Sequence, residues 1–174
     1  MDQLRVETTA LDGVRIIHPP TNFEDFRGGY VELYNRDLFH AAGLAQDFVQ
    51  DDFSWSERHV LRGLHGDGKT WKLVSCLYGR FYLVVVNHDR GSPQFLRWQG
   101  FTLSDANRLM VLIPPMFGNG HVVLSERAIF HYKQTTNYDR PSQFTLRWDD
   151  PKLGIFWPVT NPVLSQRDAE AAFL

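Results

Sequence analysis

The side chains of this 174-residue chain that could move protons or hold charge fall into a few short segments. The most informative is Arg62-Gly63-Leu64-His65-Gly66-Asp67-Gly68-Lys69-Thr70-Trp71-Lys72. It is polar and glycine-rich, yet it runs directly into an apolar stretch. Imidazole titrates near neutrality, so His65 on the lip of a strand suits proton transfer. Lys72 starts the strand that follows, and a cation there can stabilise a developing oxyanion. The planar fork of Arg62 suits phosphate. The same spacing also fits a solvated turn that happens to hold basic residues.

Asp168 lies in Leu164-Ser165-Gln166-Arg167-Asp168. A carboxylate can orient a histidine and raise its basicity, and it can equally cap a helix or sit on the surface. Tyr132 and Tyr138, in His131-Tyr132-Lys133-Gln134-Thr135-Thr136-Asn137-Tyr138, offer a phenolic acid and a stacking ring, or ordinary strand aromatics. Other chemistries lack their motifs. There is no G-x-S-x-G, no Walker loop and no dinucleotide fingerprint. Cys76 is the one cysteine, which excludes an internal disulfide and a CxxC zinc site. The seven histidines, His18, His40, His59, His65, His88, His121 and His131, form no H-x-H or H-x-x-x-H pair. No metal is expected.

These residues must be positioned by strands. Runs rich in Val, Ile, Phe, Tyr and Trp, bounded by turn residues, predict strands over 14–17, 29–33, 48–50, 71–76, 80–87, 95–101, 110–113, 121–124, 128–135 and 145–148. Helix is scarce: 37–44 with Asp37 as cap, and a short tail helix over 165–173. About ten closely spaced strands in one domain, 1–174, predict an all-β sandwich, jelly roll or barrel. Such folds hold ligands in the mouth or interior. Apolar residues make up 43% and aromatics 14%, enough for a core. A net charge of −2 argues against nucleic acid or an anionic membrane as partner. The longest apolar run, 81–86, is too short to span a bilayer. Met1-Asp2-Gln3-Leu4-Arg5 is polar and unlike a signal peptide, so the cytoplasm is the expected compartment.

Read in order, the segments resemble the dTDP-4-dehydrorhamnose 3,5-epimerase family over most of the chain. Phe23-Glu24-Asp25-Phe26-Arg27-Gly28-Gly29-Tyr30-Val31-Glu32 is similar to the family's F-x-D-x-R-G-x-[FY]-x-E. Gln50-Asp51-Asp52-Phe53-Ser54-Trp55-Ser56 is similar to Q-D-N-x-S-x-S, with Asp52 for Asn. Val60-Leu61-Arg62-Gly63-Leu64-His65 matches V-L-R-G-L-H, and Lys72-Leu73-Val74 matches K-L-V. Tyr132-Lys133 with Thr135 fits Y-K-x-T, and 148–168 fits the C-terminal signature ending in Leu164-Ser165-Gln166-Arg167-Asp168.

The resemblance implies a cupin-like double-stranded β-helix with short peripheral helices. It implies cofactor-independent inversion of carbons beside the C4 ketone of a nucleotide-linked 4-keto-6-deoxy sugar, in the service of surface polysaccharides. It makes His65 the base, Asp168 its orienting partner, Lys72 the enolate stabiliser and Tyr132 the acid on the opposite face. Arg27, Glu32 and Arg62 would contact the nucleotide, Tyr30 and Tyr138 would stack on the base, and Gln50 and Asn119 would line the substrate site. It also implies a homodimer in which Tyr30 and Glu32 reach the neighbour's site. Two departures stand out. The loop from His65 to Lys72 is shortened to 66–71, and the family's I-P-x-G-F-A-H-G-F reads Ile113-Pro114-Pro115-Met116-Phe117-Gly118-Asn119-Gly120-His121, with Asn119 where a histidine is usual. They resemble a branch acting on other nucleotide sugars, GDP-linked 4-keto-6-deoxyheptoses among them. A 3,4-ketoisomerase and a non-catalytic sugar-nucleotide-binding cupin are the competing readings.

Overall fold

A strand covered on one side alternates apolar and polar residues, whereas a strand covered on both sides is apolar throughout. That distinction organises the computed structural model, which describes residues 4–174. In chain order the elements are β1 (Arg5–Thr8), β2 (Arg15–His18), β3 (Thr21–Asp25), β4 (Gly28–Val31), α1 (Arg36–Ala41), β5 (Gln50–Glu57), β6 (Leu61–Gly66) and β7 (Lys72–Tyr78). They continue with β8 (Arg80–Asn87), β9 (Trp98–Ser104), β10 (Met110–Ile113), β11 (Phe117–Val123), β12 (Arg127–Gln134), β13 (Phe144–Thr145) and α2 (Gln166–Ala169). Two sheets face each other as a jelly roll. One runs β1-β2-β10-β7-β12-β5, the other β13-β6-β11-β8-β9, and β3–β4 forms a separate hairpin.

The main core lies between the sheets, with Val74, Phe81, Leu83, Val85, Leu103, Val111, Ile113 and Phe130. The alternate residues of β10, Met110 and Leu112, pack outward with Phe39 of α1 and Leu44. Those of β8, Val84 and Val86, pack outward with Leu64, Leu146 and Leu153 under the C-terminal segment. Both strands are therefore buried on both faces, and both coincide with the sequence expectation residue for residue.

Three differences from the sequence reading have plain causes. β6 carries Arg62 and His65 and was read as a glycine-rich lead-in, because its glycines hide the strand pattern. Those glycines are needed where β6 meets β11: a Cβ on Gly63, at φ +122°, would lie 2.4 Å from the Gly120 Cα, and one on Gly66 would lie 2.3 Å from the Phe117 carbonyl oxygen. α1 is capped by Asn35 and not by Asp37. The Asn35 side-chain oxygen accepts from the backbone N–H of Asp37 at 3.1 Å and of Leu38 at 3.3 Å. The tail helix is confined to Gln166–Ala169, capped by Ser165, and the remaining residues leave the helix.

Candidate active site

At one end of the jelly roll the sheets part to leave an open cleft of about 480 Å³. Its walls come from seven parts of the chain. β5 contributes Gln50, Asp52 and Ser54 from alternate positions, with Phe53 at the rim; β6 contributes Arg62 and His65; β7 contributes Lys72. β11 contributes Asn119 and His121, β12 contributes Phe130 and Tyr132, and the loop after β12 contributes Tyr138, Arg140 and Gln143. Ser165, Arg167 and Asp168 close the last side.

His65 and Asp168 are joined across the fold. The His65 Nε2 lies 2.7 Å from an Asp168 carboxylate oxygen, although the residues are 103 positions apart. Asp168 is 2% exposed. Its second oxygen accepts from the Ser165 hydroxyl at 2.9 Å and the Gly63 N–H at 3.4 Å. Burial alone would raise its pKa, but the hydrogen bonds and the His65 charge outweigh it and hold the carboxyl below its ordinary value. An ionised carboxylate accepts and cannot donate, so Nε2 carries the proton and Nδ1 is the free nitrogen.

Lys72 is 8% exposed and takes part in none of the ion pairs among the described residues. Burial lowers its pKa, Asp67 opposes that and Arg167 adds to it. Asp67 also organises the short loop, accepting the backbone N–H groups of Lys69 at 2.9 Å and Thr70 at 2.8 Å. The Tyr132 phenol is pushed up to about 12, first by burial and then by Asp52 and Tyr138. It is a protonated donor throughout the neutral range. Arg62, Lys72, Arg140 and Arg167 face Asp52 and Asp168, so the cleft suits an anion.

The cleft thus gathers His65, Lys72, Tyr132, Asp168, Gln50, Arg62, Asn119 and Tyr138. Gln50 has both ends of its amide engaged: it donates to Asp52 at 2.7 Å and accepts the Tyr138 backbone N–H at 2.6 Å, which anchors the Tyr138 backbone beside the cleft. Arg27, Tyr30 and Glu32 stand apart from the cleft of their own chain. The Arg27 guanidinium pairs with Asp25, and Glu32 accepts from the Asn35 amide at 3.2 Å. Sequence reasoning passed over Ser54, Phe130, His121, Arg140, Gln143 and Arg167 as site residues. Ser54 was recoverable, since it continues the alternation of Gln50 and Asp52; Arg140 and Gln143 lie in a loop with no period to follow. Among the described residues no three His, Cys, Asp or Glu side chains converge to hold a metal ion. Cys76 is buried, and burial pushes its thiol up to about 12, far from a nucleophile's range. No helix among the described residues is long and apolar enough to cross a membrane.

A jelly roll with a carboxylate-held imidazole, a phenol and a buried lysine around one anion-friendly cleft belongs to the isomerases that move protons at carbon. The comparisons make this specific. Residues 8–174 match the family model described as dTDP-4-dehydrorhamnose 3,5-epimerase, and the chain belongs to that family. The dTDP-4-dehydrorhamnose 3,5-epimerase of Salmonella typhimurium (strain LT2) is 41% identical over 95% of this chain and 93% of its own length. The dTDP-4-dehydrorhamnose 3-epimerase of Streptomyces niveus is 33% identical over 98% of this chain and 84% of its own. Among solved structures, dTDP-6-deoxy-D-glucose-3,5-epimerase from Legionella pneumophila Philadelphia 1, in complex with dTDP-4-keto-L-rhamnose, superposes with a TM-score of 0.93 at 38% identity. That match covers 98% of this chain and 93% of the other. The fold is the cupin-like jelly roll of these epimerases, and the protein is an isomerase of the epimerase class.

Proposed function

We propose that this enzyme inverts C3, C5 or both of a nucleoside-diphosphate-linked 4-keto-6-deoxy sugar, without a cofactor, in the making of a surface polysaccharide. The observation that carries the reading is the His65–Asp168 pair, its free nitrogen on the same cleft as Tyr132 and Lys72. A hydrogen beside a ketone is a weak carbon acid. His65 Nδ1 takes that proton, and the electron pair moves to the C4 oxygen as an enolate. The imidazolium that forms is held by the Asp168 carboxylate. Lys72 donates to the enolate oxygen, and its lowered pKa brings it closer to the enol it must match. Tyr132 delivers a proton to the opposite face of the ring, which completes the inversion, and Arg62 and Tyr138 serve the diphosphate and the base.

The names of the relatives support a dTDP-linked substrate. Asn119, which lines the cleft where the family motif has histidine, supports a second reading: a different nucleotide sugar, hexose or heptose. Proton NMR in heavy water with dTDP-, CDP- and GDP-linked 4-keto-6-deoxy sugars tests both. An epimerase takes up deuterium at C3, C5 or both and keeps the C4 ketone. Movement of the ketone to C3 would make it a ketoisomerase, and no exchange with any of the three would make it a binding protein.

The same reading includes a homodimer in the cytoplasm. The β3–β4 hairpin carries Arg27, Tyr30 and Glu32 away from the cleft of its own chain, and Phe26 at its turn is 97% exposed. Edge strand β5 likewise exposes Phe53 and Trp55. A second copy covering both would bring a partner's hairpin to the cleft. Light scattering at micromolar concentration should give twice the chain mass; the mass of one chain would contradict it.

A further inference from the structure

Two polar side chains on the β11 wall of the cleft take no part in the proton transfers above. Asn119 is the direct Cα partner of His65 across the β6–β11 ladder. Its side-chain oxygen is buried and has no hydrogen-bond partner. His121, two residues on, is 3% exposed and lies flat on Phe130, with ring centroids 4.1 Å apart and planes 8° from parallel. The Phe81 ring is 5.1 Å away on the core side. No described residue hydrogen-bonds to either ring nitrogen of His121, and the ring lines the cleft. An apolar side chain would suit the Asn119 position better, because a buried polar atom without a partner is unfavourable, and an apolar ring would stack on Phe130 as well as His121 does. The arrangement makes sense if a ligand supplies the missing partners.

The charge state says what kind of ligand group that is. Burial, with the nearby Arg62 charge, pushes the His121 pKa down to about 3, so the ring is neutral under ordinary conditions. Asn119 does not titrate. A neutral pair suits uncharged hydroxyls, whereas the diphosphate suits Arg62, Arg140 and Arg167. The sugar must lie beside His65 for the chemistry to occur, and Asn119 adjoins His65. We infer that Asn119 and His121 form a neutral recognition pair for the hydroxyl groups of the sugar, and so set which sugar the cleft accepts. The inference rests on the function proposed above.

The test separates sugar from nucleotide. Calorimetry compares dTDP with dTDP-glucose, and GDP with GDP-mannose; neither sugar carries a ketone, so neither reacts. In His121→Phe, which keeps the stack on Phe130, and in Asn119→Ala, affinity for the sugar nucleotide that wild type binds should fall about 10-fold, with the matching free diphosphate within about 2-fold. Equal loss for both members of a pair, or no loss for either, would overturn the inference. Imidazole NMR of the wild-type protein decides the matter even if a variant does not fold. The His121 signals should keep the neutral pattern from about pH 5 to 9 and shift on adding the sugar nucleotide but not the free diphosphate. Titration of His121 within that range, or silence toward the sugar, would contradict it. Sugar-dependent binding in a wild-type protein that catalyses no exchange would sink the proposed reaction and leave the recognition pair supported. Binding of none of the four compounds would overturn both.

Discussion

Of the four histidine–carboxylate pairs among the described residues, His65–Asp168 and His131–Asp51 differ in every respect that matters for catalysis. His65 and Asp168 meet in the cleft, with the carboxylate side chain 3% exposed and one imidazole nitrogen unused. His131 and Asp51 meet on the outer side of the six-stranded sheet. There the carboxylate is about half exposed, with side-chain exposure of 51%, and is shared with Lys133. The other His131 nitrogen is occupied by the Ser75 hydroxyl at 2.7 Å. Ser75, His131 and Asp51 superficially echo a hydrolase triad, yet the imidazole has no free nitrogen and the group does not line the cleft. A histidine–carboxylate contact becomes a base only when the carboxylate is dry, the imidazole keeps a lone pair, and that lone pair faces a space a substrate can enter.

The largest expected effect breaks this contrast at the histidines. His65→Asn should lower deuterium exchange into a 4-keto sugar nucleotide by about 100-fold or more at every carbon, with the fold intact by circular dichroism. His131→Asn should cost stability and leave exchange largely in place. Near-normal exchange in His65→Asn would remove His65 from the mechanism. Next in size is Tyr132→Phe, which should retain deuterium wash-in at the first carbon while suppressing the product inverted at C5. Unchanged products and rates in that variant would make Tyr132 a structural aromatic.

A smaller effect separates the two carboxylates by acid stability. The folded-state pKa of Asp168 is lowered, so its contribution to stability is complete above the ordinary value of 3.8 and is lost as pH falls through the lower folded value. Asp51 is lowered too: exposure is incomplete enough for burial to oppose the shift, and Lys133 and His131 overcome it. Its pairing is half exposed and screened by solvent. Melting temperatures between about pH 2 and 6 should fall less steeply toward acid in Asp168→Asn than in wild type, with Asp51→Asn close to wild type. A wild-type slope in Asp168→Asn would mean that its charge is not held by the fold. The smallest effect is none at all. Overnight treatment with a chelator should leave exchange unchanged, since the cleft's ligand set suits proton transfer and not metal binding; activity lost and then restored by one divalent ion would overturn that.

Legibility in the sequence followed the physics of each segment. β8 and β10 were plain because both faces are buried, which leaves only apolar residues to read. β5 was seen only at its start, because an edge strand with one face on the cleft and the other on solvent is built of Asp51, Asp52, Ser54 and Ser56. β6 vanished for the same reason it is useful: glycines let it approach β11, and polar residues line the cleft. His65, Lys72 and Asp168 were reached through the order of the motifs, whereas their meeting in space depends on β6, β7 and the C-terminal segment closing on one another. Nothing in the spacing of Arg140 or Gln143 marks them, and nothing in the motif that ends at His121 foretells its place on Phe130.

The claim that the dry carboxylate makes the base is tested most directly by one pair of variants in one assay. Asp168→Asn preserves shape, but the Gly63 N–H and Ser165 hydroxyl hold its one acceptor oxygen and turn the NH2 donor to His65, which favours the tautomer with its proton on the cleft-facing nitrogen. Proton NMR in heavy water should show exchange lost on the order of 100-fold or more in Asp168→Asn, and exchange within about 2-fold of wild type in Asp51→Asn. Equal losses in the two variants, or near-normal exchange in Asp168→Asn, would contradict the account.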